Sequence, residues 1–155
     1  MKMSKEIKIY TCGKMKGLTY EEQMSWRNNI QRLIENRFKY SNDGSTKLIF
    51  VHPPQYYRYD KDYQKSEREI MEWELNQIRD TDILIINAEG IGESVGSHFE
   101  MGVAWSMNHF GNKHISVIGI NENEECLHPW IQESFLRVED SMSDAADFIV
   151  EYLII

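Results

Sequence analysis

Two glutamates occupy positions that helical periodicity reserves for apolar side chains. The pattern from Ser97 to Phe110 predicts a helix. At about 100° per residue, Glu100 projects on the same face as Val103, Ala104 and Met107. A second predicted helix, Ser66 to Arg79, carries Ile70, Met71, Leu75 and Ile78 on one side and sets Glu74 among them. An inward carboxylate is costly unless it is paired, hydrogen-bonded or opens onto a pocket, and acids are rarely buried without such a reason. Two in one small chain suit nucleophilic or acid–base chemistry. With the helix starting at Ser97, Glu100 falls in the first turn, where the positive end of the backbone dipole keeps a carboxylate charged. The competing reading is a register off by one residue, with both acids on the border of their stripes.

Small residues flank these acids. Ser94-Val95-Gly96-Ser97 precedes the helix of Glu100; backbone N–H groups at a helix start hold phosphates or carboxylates, and the same residue types also serve as plain caps. Cys12-Gly13-Lys14-Met15-Lys16-Gly17 forms a second glycine-bearing loop with two lysines. Neither loop matches a Walker phosphate loop or a dinucleotide fingerprint. His52, His98, His109, His114 and His128 are scattered without metal-ligand spacing, so no metal site is expected. Cys12 has no assignable histidine partner, which favours packing over nucleophilic attack.

These residues need elements to position them. Lys5 to Thr11 alternates and is rich in β-formers, a first strand. Thr19 with Glu22 three residues on is a capping-box signature, and Trp26, Ile30, Leu33 and Ile34 recur at helical spacing behind it. Asn42 to Ser45 is a turn cluster, Lys47 to Val51 a second strand stopped at His52-Pro53-Pro54. Gln55 to Lys65, with Tyr56, Tyr57, Tyr59 and Tyr63, reads as a long loop over an active face or a solvated connector. Asp82 to Asn87 and His114 to Ile120 are continuous apolar strands of the kind buried in parallel sheets. Ala88 to Gly96 is a glycine-bearing loop, Phe135 to Val138 a last short strand, and about Ser143 to Leu153 a closing helix. Alternating strands and helices predict an α/β domain, residues 1–155, with a mainly parallel sheet. Ligands of such sheets bind at the carboxyl ends of the strands near a topological switch point, which gathers the Cys12–Gly17, His52–Tyr63 and Ala88–Gly96 segments around one pocket.

The chain's 155 residues suit one domain that needs no staple. A formal net charge of −8 argues against a polymeric nucleic-acid partner, although a local basic group can hold one phosphate. Cys12 and Cys126 form no CxxC pair and read as reduced thiols of a cytoplasmic protein. No apolar run approaches a membrane span, and Met1 to Lys5 is not followed by an apolar signal core.

Taken together, Ile9 to Gly17, Glu74-Leu75, Thr81 to Ile85 and Ser94 to Ala104 resemble the nucleoside 2-deoxyribosyltransferase superfamily. The opening loop and the Ser94-to-Glu100 spacing look most like its 2′-deoxynucleoside 5′-monophosphate N-glycosidase branch. The resemblance implies a three-layer, flavodoxin-like, five-stranded sheet, a homodimer or larger assembly, and no metal or organic cofactor. It implies cleavage or transfer at the N-glycosidic bond of a small deoxynucleoside or deoxynucleotide through a glycosyl-Glu100 intermediate, with Tyr10 positioning that carboxylate. Ser94, Gly96 and Ser97, with Gly13, Lys14, Met15 and Gly17, would meet the sugar's 5′ end or phosphate. Glu74 stands where the family usually has Asp, the acid that helps protonate the departing base or binds a sugar hydroxyl. The stretch from Ala88 to Glu93 is longer than in the hydrolase branch and lacks an aspartate common in the transferases; Asn87, Glu89 and Glu93 are candidate substitutes. Other readings are a non-catalytic nucleotide-binding or sensor module on the same fold, and a glycosidase acting on NAD or a modified cytidine nucleotide.

Overall fold

Alternation along the first strand, β1 (Lys5–Cys12), assigns its side chains to two layers: Ile7 and Ile9 go to one apolar cluster, Tyr10 and Cys12 to another. This computed structural model describes residues 4–56 and 65–154. Tyr57, Tyr59 and Tyr63 of the tyrosine-rich segment lie outside the described residues. After β1 come α1 (Tyr20–Ser41), β2 (Thr46–Val51), the short α2 (Pro53–Tyr56), α3 (Glu67–Arg79) and β3 (Ile83–Asn87). A 3-10 turn (Ile91–Glu93), α4 (Val95–Phe110), β4 (Ser116–Ile120), α5 (Pro129–Glu133), β5 (Arg137–Glu139) and α6 (Met142–Phe148) follow, and α6 runs on as a π-helix over Ile149–Ile154.

The five strands pair in parallel in the order β2-β1-β3-β4-β5. This is the flavodoxin-like order, with its switch point between β1 and β3. Every residue of β3 and β4 is buried, as expected where helices cover both faces of a parallel sheet. On one face α1 and α6 press Ile30, Ile34, Ala145, Ala146 and Ile149 onto Ile7, Ile9, Ile85 and Ile118. On the other, Ile78 of α3 and Met101 and Ala104 of α4 meet Tyr10, Cys12, Leu84 and Ile86.

The capping box at α1 forms in full. Thr19 Oγ1 accepts from the Glu22 N–H at 3.2 Å, and Glu22 Oε2 accepts from the Thr19 N–H at 2.9 Å. α1 leans on the sheet with Gln23, Met24, Arg27, Ile30 and Ile34, a stripe at 3–4 residue spacing that includes a cation.

Several boundaries differ from the sequence expectation by one or two residues, and three differences have a physical reason or consequence. α4 begins at Val95 rather than Ser97, so Glu100 lies in its second turn and the first turn carries no acid. The dipole at the helix end, which fades within one turn, therefore does not hold the Glu100 charge. β5 starts at Arg137 rather than Phe135, because Phe135 is used for packing: its ring would lie 2.8 Å from a Cβ placed on Gly119 of β4. Pro53 and Pro54 open a helical turn instead of merely stopping β2, since proline's fixed φ suits a first helical turn.

Candidate active site

A pocket of about 740 Å³ opens at the carboxyl ends of β1 and β3, the switch point of the sheet. Its walls are Gly13 to Lys16 after β1, the inward side of α3, and the turn from Glu93 into α4. Glu100, Glu74, Gly13, Lys14, Met15, Ser94, Gly96 and Ser97 all line it. Tyr10 stands behind Glu100 with no exposed surface. Gly17 and Asn87 do not line this pocket. Gly17, at φ +81°, shapes the loop and has nothing packed where a side chain would be. Asn87 lines a second pocket of about 520 Å³ with Lys14, Trp26, Glu89 and Glu125, and its Oδ1 accepts from the Glu89 N–H at 3.1 Å.

Helix geometry explains the carboxylates. Ser97, Glu100, Met101 and Ala104 form the buried side of α4, and only 7% of Glu100 is exposed. Burial raises the Glu100 pKa from its ordinary value, against the lowering pull of the Tyr10 hydroxyl, the Arg27 charge and the Cys12 thiol. Glu74, on the pocket side of α3, is raised by burial and then by the Glu100 charge, with Arg27 opposing. Both acids are therefore held toward their neutral forms, and they titrate as a pair. Tyr10 and Cys12 are both pushed well up, first by burial and then by Glu100; both stay protonated near neutral pH and present hydrogens rather than charges. Tyr10 Oη and Glu100 Oε2 are each buried without a well-aligned hydrogen bond. Such contacts are often long before a ligand binds and tighten afterwards.

The start of α4 is shaped for a ligand's polar end. Ser94 sits at the N-cap without a side-chain cap; its Oγ instead lies 2.7 Å from Ser97 Oγ. The first-turn N–H groups of Val95, Gly96 and Ser97 have no intrahelical acceptors. Lys14 stands at the same rim, 2.6 Å from Glu93 Oε2. Gly90, at φ +68°, lets Lys14 cross it, since a Cβ there would meet Lys14 Cδ at 2.8 Å.

Sequence reasoning missed Arg27, Arg68 and Phe99. Arg68 and Phe99 line the pocket, the one cationic and the other an apolar wall beside Val95. Arg27 is completely buried. Its signal was present in the Met24–Arg27–Ile30–Ile34 spacing, which places it on the packed stripe. His52 is also buried, and it is structural. Gln31 Oε1 lies 2.6 Å from its Nε2 and Thr11 Oγ1 lies 2.7 Å from its Nδ1, tying α1 to β1; burial and the Arg27 charge lower its pKa to about 4. Among the described residues, no group of His, Cys, Asp and Glu could hold a metal ion, and no helix is long and apolar enough to cross a membrane.

No family model and no curated protein matches this chain. Its fold is shared. A crystal structure of a conserved protein from Enterococcus faecalis V583 superimposes with a TM-score of 0.65 over 96% of this chain and 99% of that one, at 14% identity. That likeness establishes the α/β architecture, and the chemistry rests on this chain's own side chains.

Those side chains make a divided site. One end offers a shielded acid pair with a phenol behind it. The other offers unsatisfied backbone N–H groups, small hydroxyls and lysines. Between them lies an apolar wall of Ile70, Met71, Leu75 and Phe99.

Proposed function

We propose that this protein cleaves or exchanges the N-glycosidic bond of a small 2′-deoxynucleoside or its 5′-monophosphate, as in the nucleoside 2-deoxyribosyltransferase superfamily that its motifs resemble. The observation that carries this reading is the placement of Glu100: almost wholly buried, backed by Tyr10, and open only to the pocket that Glu74 shares. Enzymes that break glycosidic bonds through a covalent intermediate need one ionised carboxylate and one proton-bearing acid beside the same sugar carbon. Glu100 attacks C1′ as the base departs, Glu74 delivers the proton that the base takes away, and the glycosyl ester is resolved by water or a second base. Tyr10 steadies the carboxylate before attack and after release. Ser94, Gly96 and Ser97, with Lys14 and Lys16, take the sugar's 5′ end, while the apolar wall faces the base. A homodimer is part of this proposal, since the exposed Val95 and Phe99 would gain cover from a second copy.

Incubation with a panel of nucleosides, nucleotides and NAD, with free base read by chromatography, tests the reading. Base release from a deoxynucleoside or deoxynucleotide is expected, and its loss in Glu100→Ala. The rate should follow a bell in pH whose maximum lies between the two ionisations, displaced upward from the ordinary carboxylate range. At low pH both acids are protonated and there is no nucleophile; at high pH both are ionised and no proton remains for the base. A flat profile would remove the acid pair from the mechanism. A binding-only module is the second reading, favoured by the burial that pushes Glu100 toward its neutral form; thermal stabilisation by a nucleotide without base release would select it.

A further inference from the structure

The guanidinium of Arg27 is among the most deeply buried charges in the molecule, with no exposed surface at all. It does not sit in an ion pair: among the described residues no carboxylate bridges to it. Two backbone carbonyls hold it instead. Nη1 donates to Gln23 O one turn earlier, and Nη2 donates at 3.3 Å to Gly13 O in the pocket's first wall. Its Cζ lies 4.6 Å from the centroid of the Trp26 ring, and that ring fills the space beside Gly13, where a Cβ would come within 2.9 Å of it. Nε is buried with no partner. A buried cation held only by carbonyls is expensive unless an anion lies within the same low-dielectric volume.

The groups facing that volume come from every surrounding element. β1 contributes Tyr10 and Cys12, both neutral. His52 follows β2 and is held neutral by its burial and by Arg27. α3 contributes Glu74 and α4 contributes Glu100, and each feels the Arg27 charge. Lys14, Lys16, Glu67, Arg68 and Glu93 stand at the wetter pocket rim, where water screens them.

We propose that Arg27 is a positioning residue, the buried counter-ion of the Glu100 carboxylate, which lets one acid of the pair stay ionised while it pins the Gly13 wall of the pocket beside it. This rests on Glu100 being the working carboxylate. It assigns to α1 the role that the helix dipole would have played had α4 begun later. With one proton on the acid pair, the charges of Arg27, Glu74 and Glu100 cancel, and the cluster is tolerable in the interior.

The test uses ligand-free protein carrying ¹³C-labelled glutamate, with the Glu100 carboxyl signal identified by its loss in Glu100→Gln. In Arg27→Gln its ionisation should move upward by about one pH unit or more, a tenfold change in proton affinity, and Arg27→Lys should restore most of the difference. An unchanged titration in folded Arg27→Gln overturns the proposal. Should that variant fail to fold, the carboxylates answer in its place. Glu74→Gln and Glu100→Gln each leave one anion opposite the guanidinium and should melt at or above the wild type, whereas the double variant leaves none and should melt below both. A double variant that melts above both singles overturns the proposal, because two buried like charges would then have been removed with no cation left stranded. Neither readout needs turnover. Base release that depends on Glu100 with these results absent sinks the counter-ion alone; these results without base release sink the glycosidic reading alone.

Discussion

The same strands present two very different faces. Towards α1 and α6, the middle of the sheet buries isoleucine, alanine and valine, while the buried Thr11, His52, Gln23 and Arg27 gather at the carboxyl ends of β1 and β2. Towards α3 and α4, the corresponding layer contains Tyr10 and Cys12, with Glu100 buried and Glu74 half-buried beside them. Strand alternation makes the difference possible, since adjacent residues of β1 serve opposite layers. Away from those carboxyl ends, where Arg27 reaches the Gly13 wall, the hydrocarbon face can be optimised for packing without touching the pocket. On the polar face, Tyr10 Oη and Glu100 Oε2 are buried without a well-aligned hydrogen bond, where most buried polar atoms of a native core are paired.

If this division is real, substitutions on the two faces should have opposite signatures. The largest effect is expected from Glu100→Ala: turnover should fall at least about a thousandfold, or ~4 kcal/mol of transition-state stabilisation, with melting little changed. Retained turnover would erase the functional half of the contrast. Next comes Ile34→Ala on the hydrocarbon face. It should cost ~2–5 kcal/mol in urea unfolding, the range for truncating a buried aliphatic residue, with base release per folded molecule intact. An activity loss there as steep as at Glu100 would mean that the faces are not separable.

His52 sharpens the comparison at the seam between α1 and the sheet. The fold lowers its pKa to about 4, against ~6.5 in the unfolded chain. Its contribution to stability is therefore complete above ~6.5 and is lost as pH falls through about 4. His52→Gln should flatten the decline in melting temperature across that interval. An unaltered acid slope would assign the decline to other groups.

Much of this was legible beforehand, for reasons that can be named. Thr19 and Glu22 announce the start of α1 because a capping box is purely local chemistry. The run Ile83 to Ile86 announces a buried strand because nothing in it tolerates water. Glu100 was placed correctly because its facing depends on helical spacing, which survives an error in where the helix begins. That beginning was not legible. Ser94 caps nothing with its side chain, and Val95-Gly96, both exposed, have poor intrinsic preference for a helix, so nothing local marks the two extra residues of α4. Arg27 was passed over because a charged residue is ordinarily assigned to solvent, although its spacing said otherwise. Gly17 and Asn87 were carried toward the pocket by the family resemblance, Gly17 with its loop and Asn87 as a stand-in for an absent aspartate, a coarser criterion than the direction of a side chain. The substrate and the reaction rest on Glu100, Glu74 and Tyr10 and on the outcome of the base-release assay.

The strand order also bears on how the molecule comes into being. None of the neighbouring strands is joined by a hairpin; helices intervene between β1 and β2, β3 and β4, and β4 and β5. Such non-local pairing slows folding, because long loops must close before any contact rewards them. Tyr10 emerges early in synthesis and Glu100 late, so the acid cluster can assemble only once most of the sheet has closed. A chain cut short before α4 would keep β1, β2 and β3 and lose Glu100, the deeper acid of the pair, outright.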